Sequence, residues 1–168
     1  MIKIRKTEEK DIEIIMTIVN QAQEYFRSQG INQWQNGYPT KDVFTQDICN
    51  ERSYVVENDG MVVGTFFFAI DKEPTYKKIY EGSWQHNGVY GMIHRVAVDN
   101  SMKGNGIGGK IVAFATEQCK KQNIASLRID THKDNISMQR MLTKNGFEPR
   151  GIIYLEDGAE RIGFEKML

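Results

Sequence analysis

The sequence predicts a single-domain α/β protein built on a mixed sheet, and three observations support this. The chain has 168 residues and 19.3 kDa, which is within the roughly 100–200 residues of one domain. Amphipathic helical stretches and short apolar runs follow one another in the order β-α-α-β-β-β-α-β-α-β-β. Asp59-Gly60 and Asp157-Gly158 stand between strand-like runs as hairpin turns. No repeat, low-complexity tract or linker interrupts the pattern, so residues 1–168 read as one domain.

Ile2 and Ile4 alternate with Lys3 and Arg5, the period of a short edge strand. Thr7 is the expected N-cap of a first helix, with Glu8, Glu9 and Asp11 placed where the helix dipole favours anions. Its inner face is Ile12, Ile15, Val19, Ala22 and Phe26, and Gly30 suits a left-handed stop. Ile31 to Pro39 is an aromatic loop with Trp34 and Tyr38; Thr40 then caps a helix with Val43, Phe44 and Ile48 as its apolar positions. Strands are expected over Tyr54–Glu57, Met61–Ile70 and Met92–Val98, with an irregular stretch from Pro74 between the last two. A helix follows over 106–122, a strand over Ile124–Ile129 and a helix over 135–144 that ends at Asn145-Gly146. Two strands, Phe147–Leu155 and Arg161–Met167, complete the chain.

Composition narrows the function. Lys+Arg and Asp+Glu both number 22, so the net charge is zero, and no basic excess exists to neutralise a nucleic-acid backbone. A hydrophobic fraction of 40% and a charged fraction of 26% exclude disorder. Cys49 and Cys119 show no metal-ligand spacing and read as small hydrophobes of a reducing compartment; no metal is expected. Lys3, Arg5 and Lys6 resemble a positive leader, but Asp11 and Glu13 interrupt what would be its apolar stretch. The apolar run Phe66–Ile70 is far short of the ~20 residues that span a membrane. A cytoplasmic protein with no membrane partner is expected.

The chemistry concentrates in Asp99-Asn-Ser-Met-Lys103-Gly-Asn-Gly-Ile-Gly-Gly109-Lys110. Gly104, Gly106 and Gly109 satisfy G-x-G-x-x-G, with Asp130 about 20 residues on, as in dinucleotide sites. That motif needs a tight turn straight off its strand, whereas five residues separate Val98 from Gly104. Gly104, Gly109 and Lys110 also read as G-x-x-x-x-G-K, but Ile111 stands where a Mg²⁺-holding hydroxyl belongs. Glycines serving turns alone are a further possibility. The remaining pattern is Lys103-x-x-Gly106-x-Gly108, after the strand ending Val96-Ala97-Val98 and at the start of an amphipathic helix.

Here the sequence resembles the GNAT superfamily of acyl-CoA-dependent N-acyltransferases, whose loop reads Arg/Gln-x-x-Gly-x-Gly/Ala. The resemblance spans essentially the whole chain. It is most specific from Ile93-His-Arg-Val-Ala-Val98 to Asn135-Ile-Ser-Met-Gln-Arg-Met-Leu-Thr-Lys-Asn-Gly-Phe147, the latter similar to the family's Asn-x-x-Ala-x-x-Leu-Tyr-x-Lys-x-Gly-Phe helix. It implies a mixed, mostly antiparallel sheet of about seven strands with helices on both faces and a splayed central strand pair. It also implies acetyl-CoA as acyl donor, bound by the amides of Lys103, Gly104, Asn105, Gly106, Ile107, Gly108 and Gly109 at a helix N-terminus. The backbone of Val96, Ala97 and Val98 would pair with the pantetheine arm, with Asn135 and Arg140 from the second block as further contacts; Asn135 also reads as an ordinary N-cap. Leu142 replaces the family's thiol-protonating Tyr; a Tyr there would be tolerated if the position faces the thiol and would misfold the chain if it is core.

The implied reaction is direct attack of an amine of a small molecule or protein on the thioester. His94, Glu81 and His132 are candidate bases and Tyr154 a candidate acid, each with a structural role as the alternative. Trp34, Tyr38, Tyr80, Trp84 and Tyr90 lie in the irregular segments that border the acceptor pocket in this fold; they suit a cationic amine or simply anchor long loops. A non-catalytic acyl-CoA-binding or sensor module on the same fold is the alternative function, and the assembly expected is monomer or homodimer. Residues 103–144 hold eight basic and three acidic residues, so zero net charge conceals a positive segment suited to phosphates.

Overall fold

The computed structural model describes residues 1–168. The elements follow the predicted order: β1 (Ile2–Lys6), α1 (Ile12–Ser28), α2 (Lys41–Cys49), β2 (Ser53–Asn58), β3 (Met61–Asp71), β4 (Tyr90–Val98), α3 (Ile107–Lys121), β5 (Ser126–Thr131), α4 (Ile136–Lys144), β6 (Glu148–Tyr154) and β7 (Glu160–Met167). The strands form one seven-stranded sheet in the order β1-β2-β3-β4-β5-β7-β6. The β1/β2, β2/β3, β5/β7 and β6/β7 pairs are antiparallel, and β4/β5 is parallel. The chain divides into two compact units, Met1–Phe68 with Arg95–Ile107, and Ala69–His94 with Gly108–Leu168.

In the first unit, β1 pairs with β2 over its whole length, and the backbone contact continues through Thr7 N–H to Ser53 O at 3.0 Å. This explains why Thr7 is not the N-cap predicted for the first helix. Its side chain is buried and shares a 2.7 Å hydrogen bond with the Ser53 hydroxyl. The chain enters α1 through a 3₁₀ turn, Glu9–Asp11, where Glu8 and Asp11 form a capping box. Arg5 grips the Asp11 carboxylate at 2.8 and 3.1 Å. Ile15, Ile18, Val19 and Phe26 are the buried face of α1, while Ile12 and Ala22 are only half-buried. Ile15 and Val19 pack with Phe44 of α2 and Val55 of β2, and Met16, Trp34 and Val62 close over them. Asp59 (φ +50°) and Gly60 (φ +82°) make the expected tight hairpin turn between β2 and β3.

In the second unit, β5 is buried along nearly its whole length and pairs with β7 from Ser126↔Met167 to Thr131↔Ile162. The strand starts at Ser126, two residues later than the apolar run suggested. Ile124 N–H is spent on Cys119 O at 2.9 Å, closing the end of α3, with Asn123 in the left-handed region at φ +57°. Leu127, Ile129, Leu142, Phe147, Ile153 and Phe164 are buried in this unit. Gly146 (φ +89°) ends α4 as predicted.

Candidate functional site

In the first unit the site elements begin with β4. Arg95 sits in the strand with φ +51°. Its guanidinium donates twice to Asp47, Nε to Oδ2 and Nη2 to Oδ1, both at 2.8 Å, and from Nη1 to the Tyr38 hydroxyl at 2.8 Å. The same group lies 4.7 Å from the centre of the Phe67 ring. Beyond Arg95, Ala97 is buried, and Val96 and Val98 are half-buried. Asp99 accepts from Ser101 N–H at 2.9 Å and caps a 3₁₀ turn over Asn100–Met102. Gln21 braces this turn, donating to Asp99 at 3.1 Å and accepting from Asn100 N–H at 2.8 Å.

That inserted turn separates the strand from the glycines, which is the physical reason the dinucleotide geometry does not arise. Lys103, Gly104, Asn105 and Gly106 are exposed, and α3 starts at Ile107. Gly106 (φ +74°) needs to be glycine for its backbone alone, since nothing lies within 4 Å of where its Cβ would be. Lys103 Nζ rests 4.2 Å from the centre of the Tyr25 ring. Lys103 N–H and Asn105 N–H donate to Asn100 O and Met102 O at 3.4 and 3.2 Å, and the remaining amides that open α3 suit an anionic phosphate group.

In the second unit, the requirement at Gly108 has a different origin. A Cβ there would lie 2.8 Å from Met141 Cγ of α4, so this glycine serves helix contact. Gly109 is next to Asn145, whose Oδ1 would be 3.2 Å from an added Cβ. Asn135 is buried and caps α4, its Oδ1 accepting from Met138 N–H at 3.2 Å. Arg140 is exposed, and Leu142 is fully buried, as a core residue. Burial pushes the Cys119 thiol up to about 11, so it stays protonated at neutral pH; Cys49 is exposed.

The β4/β5 ladder covers Gly91↔Leu127 and Met92↔Arg128. Immediately beyond these pairs lies a cluster of titratable groups. His94 is placed with Nε2 at 3.7 Å from Glu73 Oε2 and Nδ1 at 3.9 Å from Asp130 Oδ2. The buried Tyr76 donates its hydroxyl to Asp130 Oδ2 at 2.6 Å, and its ring is 5.8 Å from that of His94. The adjacent His94 holds the Glu73 carboxyl below its ordinary value. Burial, with the charges of Asp130 and Glu73, drives the Tyr76 phenol far above its own. Sequence reasoning found His94 and missed Glu73, Tyr76 and this role of Asp130. The available signal was period two in β5, which puts Arg128 and Asp130 together on the face opposite Leu127 and Ile129.

The other predicted bases and acids are placed elsewhere. Glu81 is exposed with φ +58°. His132 accepts from Asp134 N–H through Nδ1 at 3.0 Å, and burial with nearby Arg161 holds its ring below the ordinary imidazole value. Tyr154 is exposed and meets Tyr80 edge-on at 5.4 Å. Of the aromatics, Trp34 packs edge-on against Phe26 at 5.9 Å, and Tyr38 accepts from Arg95. Trp84 and Tyr90 hold the buried Arg128 guanidinium 4.2 and 3.9 Å from their ring centres. Trp84 Nε1–H also donates to Tyr76 O at 2.8 Å, and the Tyr90 hydroxyl accepts from Glu73 N–H at 2.6 Å.

A seven-stranded sheet with one parallel β4/β5 pair, and a glycine loop leading from β4 into α3, define an acyl-CoA-dependent acetyltransferase. The chain belongs to the Acetyltransferase (GNAT) family, whose model matches residues 16–147. It is similar to a GNAT-family acetyltransferase of Streptococcus agalactiae 2603, at 30% identity and TM-score 0.88 over 99% of this chain and 95% of that one. The fold is also that of the PaiA N-acetyltransferase of Thermoplasma acidophilum, solved with coenzyme A, at 17% identity, TM-score 0.76 and coverage of 100% and 99%. A ribosomal-protein-alanine N-acetyltransferase of Brucella melitensis shares it at 20% identity, TM-score 0.69 and 99% of both chains. Comparison by sequence with curated proteins gives no match. The acyl donor of this family is acetyl-CoA. No group of three or more His, Cys, Asp or Glu is arranged to hold a metal, and no helix is long and apolar enough to cross a membrane.

Proposed function

We propose that the protein transfers the acetyl group of acetyl-CoA to a primary amine of a small molecule or protein, by direct attack within a ternary complex. The observation that carries this reading is the exposed Lys103–Gly106 loop with α3 opening at Ile107, a ready cradle for a pyrophosphate. The amides of the Lys103–Gly109 stretch that the preceding turn does not engage hold the phosphates, and the backbone of Val96–Val98 pairs with the pantetheine amides. Asn135 and the exposed Arg140 are further contacts to the donor. Holding amine and thioester in near-attack geometry supplies roughly 7–11 kcal/mol of the barrier reduction. A β4 amide beyond Arg95 stabilises the oxyanion as the tetrahedral intermediate forms.

His94 is the general base of choice. Its ring lies between two carboxylates, Glu73 at 3.7 Å from Nε2 and Asp130 at 3.9 Å from Nδ1, the latter fixed by Tyr76. Those carboxylates also favour a cationic amine before it loses its proton. With Leu142 buried, the thiolate leaves without a Tyr donor there, which a thiol pKa of about 8.5 tolerates. The whole chain acts as one catalytic domain, and its free cysteines suit the cytoplasm.

The test is calorimetric titration with acetyl-CoA, followed by thiol release over a panel of primary amines. Micromolar binding and amine-dependent release are expected. Absence of binding sinks the reading, and binding without transfer to any amine supports an acyl-CoA-binding module instead.

A further inference from the structure

Arg95 is the one residue of β4 with positive φ, at +51°, and it is not glycine. A non-glycine residue pays a steric cost in this region and persists there only when its surroundings over-determine it. The surroundings here are unusually complete for a side chain. Both Asp47 oxygens are engaged in a two-point ion pair, the Tyr38 hydroxyl takes a third N–H, and Phe67 covers the guanidinium plane. Asp47 is itself buried, on an α2 helix whose sequence pattern predicts only an apolar inner face. A surface arginine paired for solubility has no need of a buried partner or a left-handed backbone.

We propose that Arg95 is a positioning residue for acetyl transfer: its clamped side chain holds the β4 backbone in the left-handed turn that directs the following amides toward the acetyl carbonyl. The inference rests on the acetyl-transfer reading above and adds to it a device built from this chain's own residues. Tyr38 belongs to the same clamp, so a residue of the acceptor-side loop and the backbone that polarises the donor are held through one guanidinium. Val96 is the first amide after the turn, and its direction depends most on the Arg95 dihedrals.

Three variants separate holding a backbone from merely filling space. Arg95→Gly removes the clamp but tolerates positive φ, Arg95→Ala removes the clamp and does not, and Asp47→Asn loosens the clamp while leaving Arg95 in place. The readouts are calorimetric affinities for acetyl-CoA and for CoA, whose ratio reports the carbonyl contact, and the slow release of thiol from acetyl-CoA in water. Circular dichroism monitors folding. The expected result for Arg95→Ala is a loss of about tenfold in both the affinity ratio and thiol release, with CoA itself bound within about twofold of the parent. Arg95→Gly recovers most of that loss, and Asp47→Asn falls between.

Equal losses in Arg95→Gly and Arg95→Ala would overturn the proposal, as would an unchanged ratio in Arg95→Ala. A purely structural arginine would lower the melting temperature in all three variants without moving the ratio, which also overturns it. If Arg95→Ala fails to fold, the comparison passes to Asp47→Asn, which must lose the ratio that Arg95→Gly keeps; equal ratios overturn the proposal. The parent protein is titrated first, so absence of acetyl-CoA binding, which sinks both readings, is distinguished from failure of the clamp alone.

Discussion

The Tyr76 hydroxyl donates to the Asp130 carboxylate across 2.6 Å, and the same carboxylate oxygen is 3.9 Å from Nδ1 of His94. Because burial and the neighbouring carboxylates keep the phenol protonated, Tyr76 stays a donor throughout the working pH range. It therefore fixes Asp130, whose carboxylate lies beside the imidazole at ion-pair distance. His94→Gln is expected to lower kcat by roughly 10²–10⁴ while leaving calorimetric acetyl-CoA affinity unchanged, the size of effect typical of a lost general base. Tyr76→Phe is expected to lower kcat less, by about tenfold, and to alter the pH–rate profile. Wild-type turnover in His94→Gln would remove His94 from the mechanism.

Gly106 and Gly108 are expected to fail in different assays. Valine at 106 meets no neighbour, so the chain should fold with a penalty of about 1–2 kcal/mol from its φ of +74° while acetyl-CoA binding is lost behind the new side chain. Alanine at 108 collides with Met141 and should lower stability by about 1–3 kcal/mol. A second change, Met141→Ala, should restore part of that loss. Thermal melts and calorimetry on the same samples decide between the two behaviours.

Leu142→Tyr is expected to destabilise without improving turnover. The side chain is fully buried, and forcing a phenol into packed core costs about 1–3 kcal/mol or more if its hydroxyl finds no partner. Urea melts and thiol release measure the two quantities separately; a faster, equally stable variant would show that the position reaches the thiol.

Acid should destabilise the fold through Glu165 and His132. Burial raises the Glu165 carboxyl, but hydrogen bonds from Ser126, the Gln85 amide and Arg128 outweigh it and leave a depressed pKa. Its contribution is therefore present above the unfolded-chain value and is lost as pH falls through the lower folded one. His132, held neutral by burial and Arg161, adds stability above the ordinary imidazole value of 6.5, and this is lost as pH falls through its depressed folded value. His132→Gln should flatten the stability profile just below that value. Glu165→Gln should flatten the more acidic limb and cost about 3–5 kcal/mol at neutral pH, because it strips the partner from buried Arg128. Denaturant melts across pH check both slopes.

Much of the fold was legible because its signals are local. Period two marked the strands, period 3.6 marked α1 and α3, and Asp59-Gly60 and Gly146 supplied the left-handed turns that end elements. Thr7 illustrates where local reading stops. As a sequence feature it is a good cap, but β1 pairing carries on to Ser53 and claims its hydroxyl, leaving Glu8 and Asp11 to do the capping. The glycine loop at Lys103–Gly109 could likewise be located from spacing, because its residues are contiguous, although spacing alone fits several motifs.

By itself the sequence determined the order of elements, the Lys103–Gly109 loop and the family resemblance, all of which are encoded by residues near one another in the chain. Tertiary structure alone decided that Glu73, Tyr76 and Asp130 surround His94, that Asp47 and Tyr38 clamp Arg95, and that Met141 is the reason for Gly108. Each of those relationships joins residues more than 17 positions apart, except the Glu73–Tyr76 pair within one turn. No periodicity reports such distances. Only the pairing of strands and the packing of helices bring a particular carboxylate to a particular imidazole or guanidinium.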